Sequence, residues 1–366
     1  MRLLGCLLTL VFVGVCLGAE KEPAGKSQAK EKEAAFGGKT VSEWIALTKD
    51  KEQRVRFDAA WALWKLGPKA KSAVPAIAEL LKDKDEQVRQ AAVGALGSIG
   101  PEAKAAVPAL TELLKNKNLG IMSDAVVALG KIGPEAKDAV PALTELLNDK
   151  NENVRSAAAI ALGGIGPAAK SAVPALTKLL KDGDRSAAAI ALGGIGPEAK
   201  SAVPALAEVL DDINEEETVQ RDAEAAIRSI GHAAVPTLTA LLKDKDEGVR
   251  GNAARALGII GPEAETAIPD LTRMVTDKDA GYRDRLGACY AFGKIGPAAK
   301  AAIPAITEML KDRYTPVREA AAESLGEIGP TAKPAIPALT ELLKDKNADV
   351  RKAAAEALEK IKKEKK

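Results

Sequence analysis

What this sequence has least of is reactive chemistry. Its 366 residues include one histidine, His232, and three cysteines. Protein metal centres draw on several His, Cys, Asp or Glu ligands, and a Ser–His–Asp triad turns on a histidine held by two partners. So little material disfavours metal sites, cofactor chemistry and a small-molecule substrate. Aromatic residues are scarce too: three Trp, three Tyr and four Phe, although 46% of the chain is hydrophobic and much of that is alanine. Such a chain lacks the side-chain volume for one deep core and should bury small residues between closely approaching helices. Nor does one charge dominate. The 53 Lys and Arg against 51 Asp and Glu leave a formal net charge of +2, whereas proteins that neutralise phosphates carry a clear basic excess. Nucleic acid is therefore not an expected partner.

One long apolar run stands out, Leu3 to Leu17, behind the single charge of Arg2. It falls short of the roughly 20 residues needed to span a bilayer and suits the core of a signal peptide. Cleavage after Gly18 would put Cys16 and Gly18, both small, at the −3 and −1 positions. Residues 1–18 are thus expected to direct export to the periplasm, the cell surface or the medium. An uncleaved leader, or a lipid on Cys16, would be the one route to a membrane. With the leader gone, Cys289 remains alone and no intramolecular disulfide can form. Residues 19–38 mix Lys, Glu, Ala, Gly and Pro with little to bury, and read as a flexible spacer. Residues 362–366 read as a basic, solvated tail.

Between the ends the chain repeats itself. Gly-Pro recurs with its glycine at 67, 100, 133, 166, 196, 261, 296 and 329, and Gly231-His232 fills the missing place. Spacings run from 30 to 35 residues, and a second proline follows each Gly-Pro glycine by eight residues, or Gly231 by five. These positions hold 17 of the 20 prolines, so the punctuation is periodic. Between the marks lie two amphipathic segments, such as Ala106–Leu114 and Val154–Gly163, with apolar residues at i, i+3, i+4 and i+7. Proline opens the first helix, where its missing N–H costs little. Asp85, Asn151, Asp246 and Asn347 are candidate N-caps of the second, with Thr315 before Pro316 as a variant. The closing glycine suits a left-handed C-cap. Helix pairs of this kind cannot bury their apolar faces alone, so about ten units must stack over residues 39–361. The stretches 155–176 and 185–206 differ only at Ala168 against Glu198, which marks an internal duplication.

This pattern resembles HEAT repeats, and specifically the short PBS-lyase HEAT-like subtype. The features are the A-V-P-A-L-x-x-L-L helix, an Asp turn, a V-R opening and an A-L-G-x-I-G-P ending. The resemblance implies an all-α fold, a right-handed α-α superhelix. It also implies a ladder between the turn aspartates (50, 83, 149, 182, 212, 244, 277, 312 and 345) and arginines 56, 89, 155, 185, 250, 318 and 351. Arg283 or Arg285 serves the eighth unit. The third unit has Asn116 and Met122 in these two places. That joint change reads as the removal of one whole pair, and exposed pairs are worth only about 0–1 kcal/mol.

In such solenoids the second helices line the concave face. Counted back from the closing glycine, positions −12, −8, −5 and −1 form the packed stripe, and −10, −6 and −3 lie opposite. The opposite stripe carries Phe57, Trp61 and Trp64 in unit 1, then Ile160 and Ile190 above small residues. Arg221, Arg228 and Arg255 follow in units 6 and 7, Leu286 and Tyr290 in unit 8, and Glu323, Glu356 and Glu359 at the acidic end. Exposed aromatics and arginines are favoured at protein interfaces. The expected function is a non-catalytic, exported scaffold that holds a protein or peptide along this groove. The alternative is an enzyme or lyase subunit, since relatives with these repeats help attach bilins and another HEAT group binds di-iron to hydroxylate a lysine. A single histidine cannot build that di-iron site.

Overall fold

The computed structural model describes residues 34–363, apart from 117 and 211–215. The expected leader, most of the spacer and the last three tail residues lie outside the described residues, as does Asp212. From Ala34 onward the chain is one unit. It opens with a two-stranded hairpin, β1 (Ala35–Phe36) antiparallel to β2 (Lys39–Thr40). The spacer therefore ends earlier than expected. Phe36 is what holds it: its ring meets Trp61 edge-on at 5.5 Å, and its carbonyl accepts the Trp44 indole N–H at 3.0 Å.

Helices follow in pairs. Units 1 and 2 are α1 (Val41–Leu47) with α2 (Gln53–Leu66), and α3 (Val74–Leu80) with α4 (Glu86–Ile99). Units 3 and 4 are α5 (Val107–Leu113) with α6 (Leu119–Ile132), and α7 (Val140–Leu146) with α8 (Glu152–Ile165). Units 5 and 6 are α9 (Val173–Asp182) with α10 (Arg185–Ile195), and α11 (Val203–Val209) with α12 (Glu217–Ile230). Units 7 and 8 are α13 (Val235–Leu241) with α14 (Glu247–Ile260), and α15 (Ile268–Thr276) with α16 (Tyr282–Ile295). Units 9 and 10 are α17 (Ile303–Met309) with α18 (Thr315–Ile328), and α19 (Ile336–Leu342) with α20 (Ala348–Lys362). Each second helix packs on the next, and the buried side chains form one continuous core from Val41 to Ile361.

The Gly-Pro segments are not simple breaks. Each is a 3-10 helix, such as Gly67–Ala73, running straight into the next short helix. Three residues per turn puts i and i+3 on one side, and the motif G-P-x-A-x-x-A has that period: Ala70 and Ala73 are both fully buried. The closing glycines have φ between 54° and 76° but ψ near −140°, so they are mirror-extended rather than left-handed helical. The proline that follows eight of them is compatible with this ψ but does not impose it, since Gly231 before His232 takes the same conformation (φ 57°, ψ −137°) on entering its 3-10 segment. Only glycine reaches this region without strain.

Caps fall at Asp85, Asn151, Asp246 and Asn347, each side chain accepting a first-turn N–H. Asn118 does the same for α6. For α18 the cap is Tyr314, not Thr315, because Asp312 Oδ1 takes the Tyr314 N–H at 2.8 Å and starts the helix one residue earlier.

Candidate functional site

Two features could carry function: the arginine ladder and the face of the second helices. In the ladder, Arg56 Nε and Nη2 donate to the two Asp83 oxygens at 2.6 and 2.9 Å, while its Nη1 donates to the carbonyls of Asp50 and Lys51. Each rung thus joins the arginine of one unit to the carboxylate of the next. Arg318 with Asp345 repeats this geometry. The rungs are not surface pairs. Side-chain exposure is 9% and 8% for Arg56–Asp83, so the low value expected for exposed pairs does not apply. Hydrogen bonding to Arg56 holds the Asp83 carboxyl below its usual range, and Arg318 does the same to Asp345.

Two partners differ from the expected ones, and the open choice in unit 8 is settled. Arg155 reaches Asp184 at 2.9 Å, not Asp182, because the shortened turn moves the later aspartate into place. Arg250 reaches Asp284 at 2.7 Å, a carboxylate inside α16, while Asp277 serves its own turn by accepting the Asp279 N–H. In unit 8 it is Arg285 that pairs with Asp312, at 2.6 Å. The reading of unit 3 also changes. Because rungs run between units, Asn116 and Met122 do not remove one pair but interrupt two. Arg89 keeps only the carbonyls of Asp83 and Lys84, and Asp149 keeps only its turn bond to Asn151 N. Both are half-buried, so water still reaches them. The ladder is internal wiring.

The second-helix face has a different character. Position −6 is its most open row, whereas position −3 is open at Trp64 and Arg228 but closed where it carries glycine. A Cβ on Gly163 would lie 2.9 Å from Ala191 Cα, and one on Gly194, at −2, would lie 2.5 Å from the Gly163 carbonyl. These glycines let α8 and α10 touch backbone to backbone. Above them Ile160 and Ile190 are 54% and 47% exposed. At the N-terminal end Phe57, Trp61 and Trp64 border an open cavity of about 800 Å³ with Gln90, Gly94 and Asp124. Trp64 lies over Gly94, where a Cβ would be 3.3 Å from the indole. Toward the other end Leu286, Tyr290, Glu319 and Glu323 border a second cavity of about 540 Å³.

Six overlapping stretches, residues 41–130, 102–163, 121–186, 140–228, 203–286 and 279–359, match the family model described as HEAT repeats. The chain belongs to the HEAT-repeat family. No curated protein sequence matches this HEAT-repeat chain. Among solved structures it resembles the karyopherin Kap121p bound to the extreme C-terminus of the protein phosphatase Cdc14p, at 16% identity and a TM-score of 0.52. It resembles Kap121p bound to Nup53p at 17% identity and the same TM-score. Both likenesses cover 88% of this chain but 41% of the karyopherin, so the chain spans about two-fifths of those neighbours' length. At such identities the likeness shows the fold: an α-solenoid superhelix.

Within this HEAT-repeat solenoid the singled-out residues separate into groups. Phe57, Trp61 and Trp64 gather at one cavity, and Leu286 and Tyr290 at the other. Trp44 belongs instead to the hairpin cap. Ile160 and Ile190 sit side by side on α8 and α10, beside a third open hollow with Ser156 and Ser186. Arg221 and Arg228 are exposed on α12 but border none of these three hollows. Arg255 is not a free groove charge. It donates to the Leu210 carbonyl at 2.7 Å and pairs with Glu224 at 3.4 Å, bolting unit 7 to unit 6 where the connection Gly231–Ala234 is short. His232 helps there, its N–H donating to Glu263 at 3.1 Å. Asp124 went unnoticed in the sequence. Burial raises its carboxyl above the usual range, and its only signal was an acid at −9, where neighbouring units place alanine. No group of three or more His, Cys, Asp or Glu able to hold a metal occurs among the described residues.

Proposed function

We propose that this protein is a non-catalytic, exported scaffold that binds a protein or peptide along the face of its second helices. One observation carries the reading. Of the nine large apolar side chains left exposed among the described residues, six lie on this face: Trp61, Trp64, Val127, Ile160, Ile190 and Tyr290. Scattered exposed hydrophobics need no explanation, whereas an aligned row marks a contact surface. The glycines beneath let neighbouring second helices meet at backbone contact, which sets these side chains close together along the face. The Kap121p structures, in which that karyopherin is bound to a phosphatase C-terminus or to Nup53p, are consistent with a partner of this kind.

The test uses a photo-crosslinking residue at Val127 in the protein as expressed. Discrete crosslinked products are expected, and Ile160→Asp with Ile190→Asp should reduce their yield at least about tenfold, or ~1.4 kcal/mol. Equal products from a crosslinker at Glu112 on the short helix α5, or no loss in the double variant, would remove the reading. Export is checked separately. Amino-terminal sequencing of the extracytoplasmic fraction should begin at Ala19, and recovery only from the cytoplasm with Met1 retained would end that part of the proposal.

A further inference from the structure

The second cavity differs from the first in charge, and this difference names a partner chemistry for the proposed groove. Its outer wall is α18, which presents Glu319, Glu323 and Glu327 four residues apart, on one side of the helix. Glu327 is satisfied by Lys294 at 3.1 Å. Glu319 and Glu323 have no ion pair or hydrogen bond among the described residues. Partial burial raises the Glu323 carboxyl, and repulsion from Glu319, Glu327 and Glu356 adds to it against the opposing Lys360. The other cations at the cavity are engaged: Arg255 with Glu224 and the Leu210 carbonyl, Lys294 with Glu327. Arg283 likewise has partners of its own.

The opposite wall is apolar. Tyr290, 36% exposed, rests over Gly258, where an added Cβ would lie 2.6 Å from its ring, and Leu286 stands one helical turn before it. An independent observation comes from the floor. Ser324 borders the same cavity, is 2% exposed, and its Oγ has no hydrogen-bond partner among the described residues. Buried hydroxyls without a partner are uncommon. Two unpaired carboxylates, an apolar wall and an unfilled hydroxyl make a complementary seat for a cation on an apolar stem.

We propose that this cavity receives a lysine or arginine side chain from a basic segment of the partner, flanked by an apolar residue. Glu319 and Glu323 take the charge, Ser324 Oγ accepts a hydrogen bond, and Tyr290 with Leu286 covers the stem and its neighbour. An acidic segment or a nucleic acid would meet like charge here. The proposal rests on the groove reading, which supplies the surrounding contact surface.

The probes are two fluorescein-labelled peptides, Gly-Ser-Leu-Arg-Leu-Lys-Leu-Ser-Gly and its counterpart with Glu in place of both cations. Fluorescence anisotropy with the full chain should show the basic peptide binding at least about tenfold tighter at low ionic strength. The preference should shrink at about 200 mM salt, where exposed charges are screened. Glu319→Gln with Glu323→Gln should abolish it, whereas Trp61→Ala with Trp64→Ala should leave it in place. Circular dichroism of each variant confirms the fold. A preference that survives the glutamine variant, or no preference at all, overturns the proposal. If it fails in this way while the Val127 crosslinks and their loss in Ile160→Asp/Ile190→Asp persist, the groove reading stands without the cation site. If those crosslinks are missing as well, both fall.

Discussion

Replacing Asp83 with alanine is expected to destabilise the first two units by about 3–5 kcal/mol, because it strands a guanidinium away from water. The Arg56 side chain is 9% exposed and directs Nε and Nη2 at Asp83 alone. Asp83 Oδ1 also accepts the Asp85 N–H, so the turn loosens with the rung. Slowed-exchange amides in α2 and α4 are the sensitive readout, since a solenoid unfolds by segments. The double variant Asp83→Ala with Arg56→Met should recover much of the loss, because a buried pair replaced whole by apolar groups is often neutral. Glu341→Ala, which removes a pair whose side chains are 74% and 75% exposed, should change stability by less than about 1 kcal/mol. The pH dependence follows in sign. The folded Asp83 and Asp345 carboxyls titrate below their ordinary value of 3.8, so their contribution is complete above it. That contribution disappears as pH falls through the lower folded value. Asp83→Ala should therefore flatten the acid limb of the stability curve. A cost below about 1 kcal/mol would return the ladder to the status of surface decoration.

The second large effect is expected at Gly194. A valine there should cost about 3 kcal/mol, at the upper end of ordinary overpacking. Its Cβ would fall 2.5 Å from the Gly163 carbonyl oxygen and 2.9 Å from Gly163 Cα, and backbone cannot rotate aside as a side chain can. Helix α10 must move off α8, and the contact beneath Ile160 and Ile190 opens. Even Gly194→Ala should destabilise, despite an intrinsic helix preference of up to about 1 kcal/mol in its favour. Thermal melts and exchange protection in α8 and α10 decide the matter. An alanine variant as stable as the parent would mean that the helices are not held at backbone contact.

Why was the stack legible in the sequence while several of its connections were not? Proline and glycine report local backbone needs, and the eight-residue interval between Gly67 and Pro75 recurs wherever the same turn is made. Apolar spacing likewise fixed which side of α4 is buried: Val88, Ala92, Ala95 and Ile99 are all at 1% exposure or less. Rung partners depend on distance in space instead. Asp284 substitutes for Asp277 because its helix, not its turn, comes within reach of Arg250, and no local pattern marks that. Arg255 reads as a groove charge by position, yet its long stem reaches back 45 residues to the Leu210 carbonyl. The cation seat was legible in half: the acidic end and Tyr290 were evident, but the orphaned Ser324 hydroxyl depends on helix packing. The 3-10 segments were written openly as a three-residue alanine period.

Each ladder rung points the same way, from an arginine to the carboxylate of the following unit, and a complete unit carries one of each, as unit 3 with Asn116 and Met122 does not. A unit copied whole therefore brings an acceptor for the arginine before it and a donor for the carboxylate after it. The near-identical stretches 155–176 and 185–206 show such a copy in place, with Asp184 taking up the rung although three residues of the turn are missing. The length of the stack is thus a heritable variable in its own right. The chain can gain or lose a segment of its second-helix face at a single duplication or deletion, with no new interface to invent.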